Sequence, residues 1–345
     1  MKLSVTRHDL PTANPFSIAR GTTTTAGIVT IELTHDGTTG IGGAGPSAYY
    51  GETVDSVVDV LADLRSAIHG WDDPHAGQHV ARTLADEVSD APATRAAVST
   101  ALADLAARDL GVPLYRQWGL DPDAAPRTSY TVGIAEPERM AENARQAVEE
   151  GFDILKVKAG TDDDRTRLRA VRDAVPDVTL RVDANCAWDA DEAIEQTQWL
   201  ADRGVEFLEQ PVPADDIEAL RRVHEDASLP ICADESCVTA ADVARVADAC
   251  GVVTVKLMKC GGLWPAIEQI HAAHAHGLDV LLGCMLESNA SIAPACHLAP
   301  LADYVDLDGA LLLATDPYEG VAMPDGRLAL SDVRAGTGVR PVRNG

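Results

Sequence analysis

From residue 129 to residue 308 of this 345-residue chain, eight short aliphatic or β-branched runs recur about 25 residues apart, with a helical pattern between each pair. They occupy 129–134, 154–158, 179–183, 205–209, 230–234, 252–257, 279–284 and 304–308. Parallel strands need crossovers of this length, and eight in succession fit an α/β fold closed as a TIM-type barrel. An open doubly wound sheet is the competing arrangement, but no Gly-rich dinucleotide fingerprint follows the first run.

Ahead of the repeat the texture differs. Residues 1 to 45 read as short strands, with period-2 alternation in "AGIVTIELTHDG" closing on Asp36-Gly37. Helical patterns follow, and the Ala-rich "PATRAAVSTALADLAARDLG" ends on Gly111, a C-cap signal. The glycines of "GIGGAG" fit turn flexibility better than a phosphate loop. The expected organisation is an α+β unit over 1–120, a barrel over 121–315, and a turn-rich segment over 316–345 returning to the first unit.

The formal charge of −26 excludes the basic footprint of a nucleic-acid binder and disfavours anionic membrane surfaces. No apolar run approaches a membrane span and the start lacks an apolar leader, so a cytoplasmic location is expected. Seven scattered cysteines without a C-x-x-C pair argue against disulfides or a zinc knuckle. Spread acidic excess, arginine in place of lysine and three phenylalanines suggest a halophilic protein, whose self-repulsion molar salt screens.

The polar residues of the repeat sit at the C-terminal ends of its runs, where barrel active sites are built. Asp183 ends "LRVD", Glu209 ends "EFLE" and Asp234 ends "PICAD", at intervals of 26 and 25. One such acid is commonly a helix cap or a solvated loop residue. Three in register would converge, and an all-oxygen set with room for water and substrate suits Mg2+. Asn185 and Glu235 are placed to support the metal from outside its ligand shell. "HAAHAHG" offers His271 and His274 but no further ligand type nearby, so it carries no metal assignment.

Lysine is scarce: Lys2, Lys156, Lys158, Lys256 and Lys259 are the only five among 28 basic residues. Lys156 and Lys158 are i and i+2 on one strand and share a side, while Lys256 ends the sixth run. A substrate across the barrel mouth would have lysines on opposite faces, the geometry for removing a proton from one face and returning one to the other. Arginine stays protonated, whereas lysine's pKa can be lowered to about 7–8, so these positions need a removable charge. Lys259 is expected to be solvated.

"KVK", "VDAN", "LEQP", "ADES" and "VKLMKCGG", in this order and spacing, resemble the muconate-lactonizing subgroup of the enolase superfamily. The resemblance implies a modified (β/α)7β barrel under an N-terminal capping domain. It implies Asp183, Glu209 and Asp234 as Mg2+ ligands, Lys158 and Lys256 as the acid/base pair, and Lys156 holding the substrate carboxylate. Asp306 and Asp308 in "YVDLDGALLL" resemble the D-x-D of dipeptide epimerases, where the pair binds the substrate's α-ammonium. Two anions there would be costly beside a substrate without positive charge.

The resemblance also implies a mobile capping loop, here "NPFSIARGTTTT", whose Arg20 would either meet an acidic side chain of the substrate's second residue or act as a surface charge. Cys284, Met285 and Glu287 are expected to line the pocket. The function expected is a homo-oligomeric, Mg2+-dependent epimerase acting at the C-terminal residue of an L,L-dipeptide by 1,1-proton transfer through an ene-diolate. A cycloisomerase or o-succinylbenzoate synthase-like lyase on the same scaffold is the alternative. A Schiff-base aldolase would not need the three carboxylates, and a non-catalytic barrel would not need the acid/base lysines.

Overall fold

The chain opens with a long antiparallel hairpin, β1 (Lys2–Ile18) and β2 (Gly21–His35), to which β3 (Thr38–Ala44) adds a third strand. This computed structural model describes residues 1–342. The segment 14–25, expected as a loop, is strand-paired: Phe16 faces Thr23, Ser17 faces Thr22 and Ile18 faces Gly21. Register shifts between Pro11 and Phe16, where Pro11 and Pro15 lack the N–H that a regular ladder needs. Beyond that shift the hairpin tip leans onto the barrel, and Ile134 N donates to Ser17 O at 2.8 Å.

Three helices follow, α1 (Val54–Gly70), α2 (Gly77–Glu87) and α3 (Pro92–Asp109); α1 and α3 back this sheet and α2 packs against α3. Small residues let α3 lie against β3 at close range. A Cβ on Gly40 would come within 2.1 Å of Ala101 O, and one on Gly42 within 2.2 Å of Ala97 O. These glycines therefore serve backbone approach inside a strand rather than turn flexibility. Ala91 offers α3 no side-chain cap, and Glu52 does so from a distance, accepting from Ala93 N at 2.7 Å and Thr94 N at 3.2 Å. The opposite face of α3 meets the barrel, where Ser99 Oγ accepts from Leu263 N at 3.1 Å.

The eight runs form one parallel sheet in sequence order: β4 (Tyr130–Val132), β5 (Ile154–Lys158), β6 (Thr179–Asp183), β7 (Val205–Glu209), β8 (Ile231–Ala233), β9 (Val252–Lys256), β10 (Asp279–Gly283) and β11 (Tyr304–Asp306). A bridge between Thr128 and Val305 closes the first strand onto the last, making a barrel. Arg181 plugs the interior. It is bonded to Glu206 at 2.7 Å, and its guanidinium lies 5.2 Å from the Phe207 ring centre and 5.0 Å from that of Tyr304.

After the barrel, β12 (Tyr318–Glu319) pairs with β13 (Arg340–Pro341). This stretch touches the N-terminal unit: buried Asp104 accepts from Thr337 N at 2.7 Å, and Tyr318 Oη lies 3.2 Å from Thr30 Oγ1. Residues 343–345 of the expected C-terminal segment lie outside the described residues.

His297, fully buried beside Tyr115, accepts from Tyr115 N through Nδ1 at 3.0 Å, and burial pushes its pKa down to about 4. The unfolded chain binds this proton near the usual 6.5, so the stabilisation is complete above that pH and is lost as pH falls from 6.5 toward 4. The loss amounts to roughly 3 kcal/mol. In His297→Asn, which keeps an acceptor for Tyr115 N, urea midpoints measured across this window should fall less steeply than in the wild type.

Candidate active site

Asp183 and Glu209 are the last residues of β6 and β7, and Asp234 is the first residue past β8. Lys158 pairs with Asp183, and Asp183 with Glu209, in the strand register, so these groups stand at one height around the mouth. The three carboxylates are essentially fully buried. Buried anions need counter-charge, and lysines supply it. Lys158 Nζ donates to Asp183 Oδ2 at 2.6 Å, and Lys256 Nζ to Asp234 Oδ2 at 2.7 Å. Lys156 Nζ reaches Asp306 Oδ2 at 2.9 Å, Asp183 Oδ2 at 3.2 Å and Glu209 Oε2 at 2.7 Å.

The expectation for Lys259 is overturned. It is 1 % exposed, and its ammonium contacts Asp234 Oδ1 at 2.6 Å and the carbonyls of Asp234, Cys237 and Thr254 at 2.6, 3.1 and 2.8 Å. A single helical turn, Leu257–Cys260, follows β9 directly and swings this lysine back beneath the acid.

These pairings set the titration of the cluster. Burial alone would raise Asp183, but Lys158 and Lys156 hold it well below the usual carboxylate range. Asp234 is likewise driven down, against burial, by Lys256 and Lys259. Glu209 goes the other way, pushed up to about 7 by burial and by its two acidic neighbours despite Lys156. Burial would lower Lys156 and Lys256, yet the surrounding carboxylates raise both, the reverse of the lowering expected of an acid/base lysine from the sequence.

Three observations bear on a divalent cation. The donor set is three carboxylates at neighbouring strand ends, the chemistry Mg2+ prefers. Six buried acids (Asp183, Glu209, Asp234, Glu235, Asp306 and Asp308) surround four buried lysines and the guanidinium of Arg20, a formal excess of one negative charge. Glu209 Oε2, although near Lys156, makes no hydrogen bond. The residues fit such an ion. With the lysines drawn onto the carboxylates, no three described His, Cys, Asp or Glu side chains enclose a common point at ligand distance.

The D-x-D pair is gripped from the first strand. Ser129 Oγ donates to Asp306 Oδ1 at 2.6 Å, and Thr131 gives Asp308 its N–H at 2.6 Å and its hydroxyl at 3.2 Å. Burial and Asp306 push Asp308 up to about 7. Neither Ser129 nor Thr131 was singled out from sequence, although their i, i+2 spacing mirrors the D-x-D they hold.

Above these groups lies a cavity of about 760 Å3 bordered by Lys156, Lys158, Lys256, Asp306 and Asp308 and roofed by the hairpin tip and Tyr49 and Tyr50. Cys284 and Met285 line it, whereas Glu287 is buried behind and accepts from Met285 N at 2.8 Å. Arg20 is not a loose surface charge: Nη2 is 2.8 Å from Glu235 Oε1, Nη1 donates to Asn185 O at 2.9 Å, and Cζ lies 4.4 Å from the Tyr49 ring centre. Asn185 N donates to Asp183 Oδ1 at 2.9 Å, steadying that carboxylate. Asn185, Cys186 and Gln210 adopt left-handed backbone with φ of 47, 67 and 36°, a strain of about 1–3 kcal/mol each. Gln210 Oε1 accepts from Asp234 N at 2.9 Å and Ser236 N at 3.0 Å, fixing the turn that presents Asp234. On the outer surface, His274 lies 3.0 Å from Asp303 and takes no part in the site.

A barrel with carboxylates ending its third to fifth strands and lysines facing each other from its second and sixth defines the class of enolase-type enzymes. Residues 2–119 match the mandelate racemase / muconate lactonizing enzyme N-terminal domain, and residues 139–344 the enolase C-terminal domain-like family. The chain belongs to the mandelate racemase / muconate lactonizing enzyme family of the enolase superfamily. It is 34% identical to an L-Ala-D/L-Glu epimerase of Bacteroides thetaiotaomicron, covering 99% of this chain and 88% of that one. It is 37% identical to an L-Lys-D/L-Arg epimerase of Methylococcus capsulatus, covering 98% of each. Among solved structures, a dipeptide epimerase from Enterococcus faecalis V583 complexed with Mg and L-Leu-L-Tyr superposes with a TM-score of 0.92 at 34% identity, covering 98% of both chains.

Removing Lys259 leaves Asp234 with a buried, unmatched oxygen. Lys259→Met should lower unfolding free energy by about 3–5 kcal/mol, against less than about 0.5 kcal/mol for Lys2→Met on the surface, as read from urea melts.

Proposed function

We propose that this protein is a Mg2+-dependent dipeptide epimerase that inverts the C-terminal residue of an L,L-dipeptide. The observation that carries the reading is the placement of Lys158 and Lys256 on opposite sides of one cavity, with Asp306 and Asp308 at its rim. Similarity along nearly the whole chain to proteins named as dipeptide epimerases supports it.

Asp183, Glu209 and Asp234 would hold the ion, which supplies positive charge where negative charge develops on the substrate carboxylate. Lys156 adds a fixed positive charge beside them. Asp308, with Asp306, would receive the α-ammonium of the first residue. One of Lys158 and Lys256 removes the α-proton, the electron pair moves into the carboxylate as an ene-diolate, and the opposite lysine delivers a proton to the other face. The α-proton of a carboxylate is so weakly acidic that preorganised charge must supply most of the acceleration. Met285 borders the cavity as a substrate contact, Arg20 faces the second residue, and Asn185 and Glu235 support this end. The proposal includes the division into a capping domain over 1–120, a barrel over 121–315 and a returning segment over 316–345.

A dipeptide library incubated in D2O with Mg2+ and read by mass spectrometry should show a one-dalton gain in the products. Lys158→Ala and Lys256→Ala should each lower epimerisation by at least about 1,000-fold, with one of the two variants still exchanging the α-proton of a single enantiomer with solvent; full activity in either defeats the two-base scheme. Chelator should abolish activity, and added Mg2+ should restore it.

The charge of −26 supports a halophilic enzyme, and we propose further that it is cytoplasmic and homo-oligomeric. Activity and unfolding midpoints should rise from dilute buffer to molar KCl, with assembly followed by light scattering; full stability in dilute buffer contradicts the halophilic part.

A further inference from the structure

The three carboxylates at the strand ends are not tethered alike. Asp183 accepts hydrogen bonds from Lys158 and from Asn185 N, and Asp234 accepts them from Lys256 and Lys259. The Glu209 carboxylate accepts only one among the described residues, from Thr254 Oγ1 to Oε1 at 3.1 Å. Its other oxygen, Oε2, lies 2.7 Å from Lys156 Nζ, which also stands 3.2 Å from Asp183 Oδ2. One oxygen is pinned, and the other is turned toward the neighbouring acid.

Thr254 comes two residues before Lys256 on β9, so its side chain points into the barrel one layer below that lysine. It is fully buried. A hydroxyl there has a single proton to give, and its neighbours decide where that proton goes. A Cβ on Gly283 of β10 would come within 3.0 Å of Thr254 Cγ2, so the methyl takes the side of β10. On the other side, Cys232 Sγ of β8 lies 3.2 Å from Thr254 Oγ1, where its S–H can donate and leave the hydroxyl proton for Glu209. β-branching leaves the side chain few other rotamers. The main chain of the same residue serves a different acid: Thr254 O accepts from Lys259 Nζ at 2.8 Å, and Lys259 holds Asp234. That second contact does not depend on the side chain, so a substitution at Thr254 isolates the hydroxyl.

We infer that Thr254 is the positioning residue for Glu209: its hydroxyl, oriented by Cys232 and Gly283, fixes Oε1 so that Oε2 is presented to the metal. This rests on the Mg2+ part of the reading above and is independent of which dipeptide is turned over. The competing role for Thr254 is to fill space inside the barrel. Valine has nearly the same shape, so it separates the two roles: the space stays filled and the hydrogen bond is lost. A buried acceptor left without its donor is costly, and the Glu209 carboxylate would lose its one fixed orientation.

The test is calorimetric titration of Mg2+ alone into chelator-treated, dialysed full-length protein, with no substrate present. Thr254→Val should raise the Kd for Mg2+ by about 10–100-fold, the range found when a partner behind a metal ligand is removed. Thr254→Ser keeps the hydroxyl and should restore most of that loss. Wild-type affinity in the valine variant, or a serine variant as weak as the valine one, overturns the inference. Should the valine variant not fold, Thr254→Cys carries the comparison: its S–H is a weaker donor, so it should bind Mg2+ less tightly than Thr254→Ser, and equal affinity overturns the inference. Wild-type protein that binds no Mg2+ defeats the metal reading and this inference together. Intact Mg2+ binding without exchange in any dipeptide defeats the epimerase reading alone.

Discussion

Everything at the mouth of this barrel depends on a buried lattice of ammonium and carboxylate groups. Bringing any of these charges out of water unpaired would cost several kcal/mol, so no member can be placed without the others. Asp183 is held by Lys158 and Lys156, Asp234 by Lys256 and Lys259, and Asp306 by Lys156 and Ser129. Four of the five lysines are spent here, while most of the arginines lie elsewhere. A planar guanidinium would not fit the three-way contact that Lys156 makes, nor could it surrender a proton.

The surrounding fold is arranged to deliver these groups at one level. Parallel registry aligns Lys158, Asp183 and Glu209 across adjacent strands. Strained backbone at Asn185 and Gln210 turns the chain sharply just past Asp183 and Glu209, and Gln210 uses its amide to hold the neighbouring turn. The capping hairpin reaches the same place from the opposite end of the sequence. Its register shift near Pro11 and Pro15 redirects the tip over the barrel, where Ile134 and Glu235 catch it.

The sequence carried the parts of this that obey a period. A repeat of about 25 residues located all eight strands, and with them the acids and lysines at strand ends, because alternation and crossover length leave few other arrangements. Lys259 was misjudged because spacing cannot reveal that a single helical turn folds it back under Asp234. The Arg20–Glu235 pair joins residues far apart in the chain with no local pattern linking them. "GIGGAG" was misread because a glycine that admits a neighbouring helix looks the same in sequence as one that permits a turn. Ser129 and Thr131 were overlooked for a related reason: small hydroxyl residues are common in strands, and only their partners across the barrel give them meaning.

Those partners matter beyond the site. The barrel's first and last strands share little main-chain ladder, only the bridge at Thr128 and Val305 and the bond from Ser129 N to Val305 O. Ser129 and Thr131 knit the rest of that seam by gripping the same two aspartates proposed to receive a substrate ammonium. Closure of the scaffold and recognition of the ligand are therefore written in the same atoms. A lineage that altered Asp306 or Asp308 to accept a different chemical handle would also have to re-suture its barrel, so drift in substrate range is easier at the hairpin roof than at the seam.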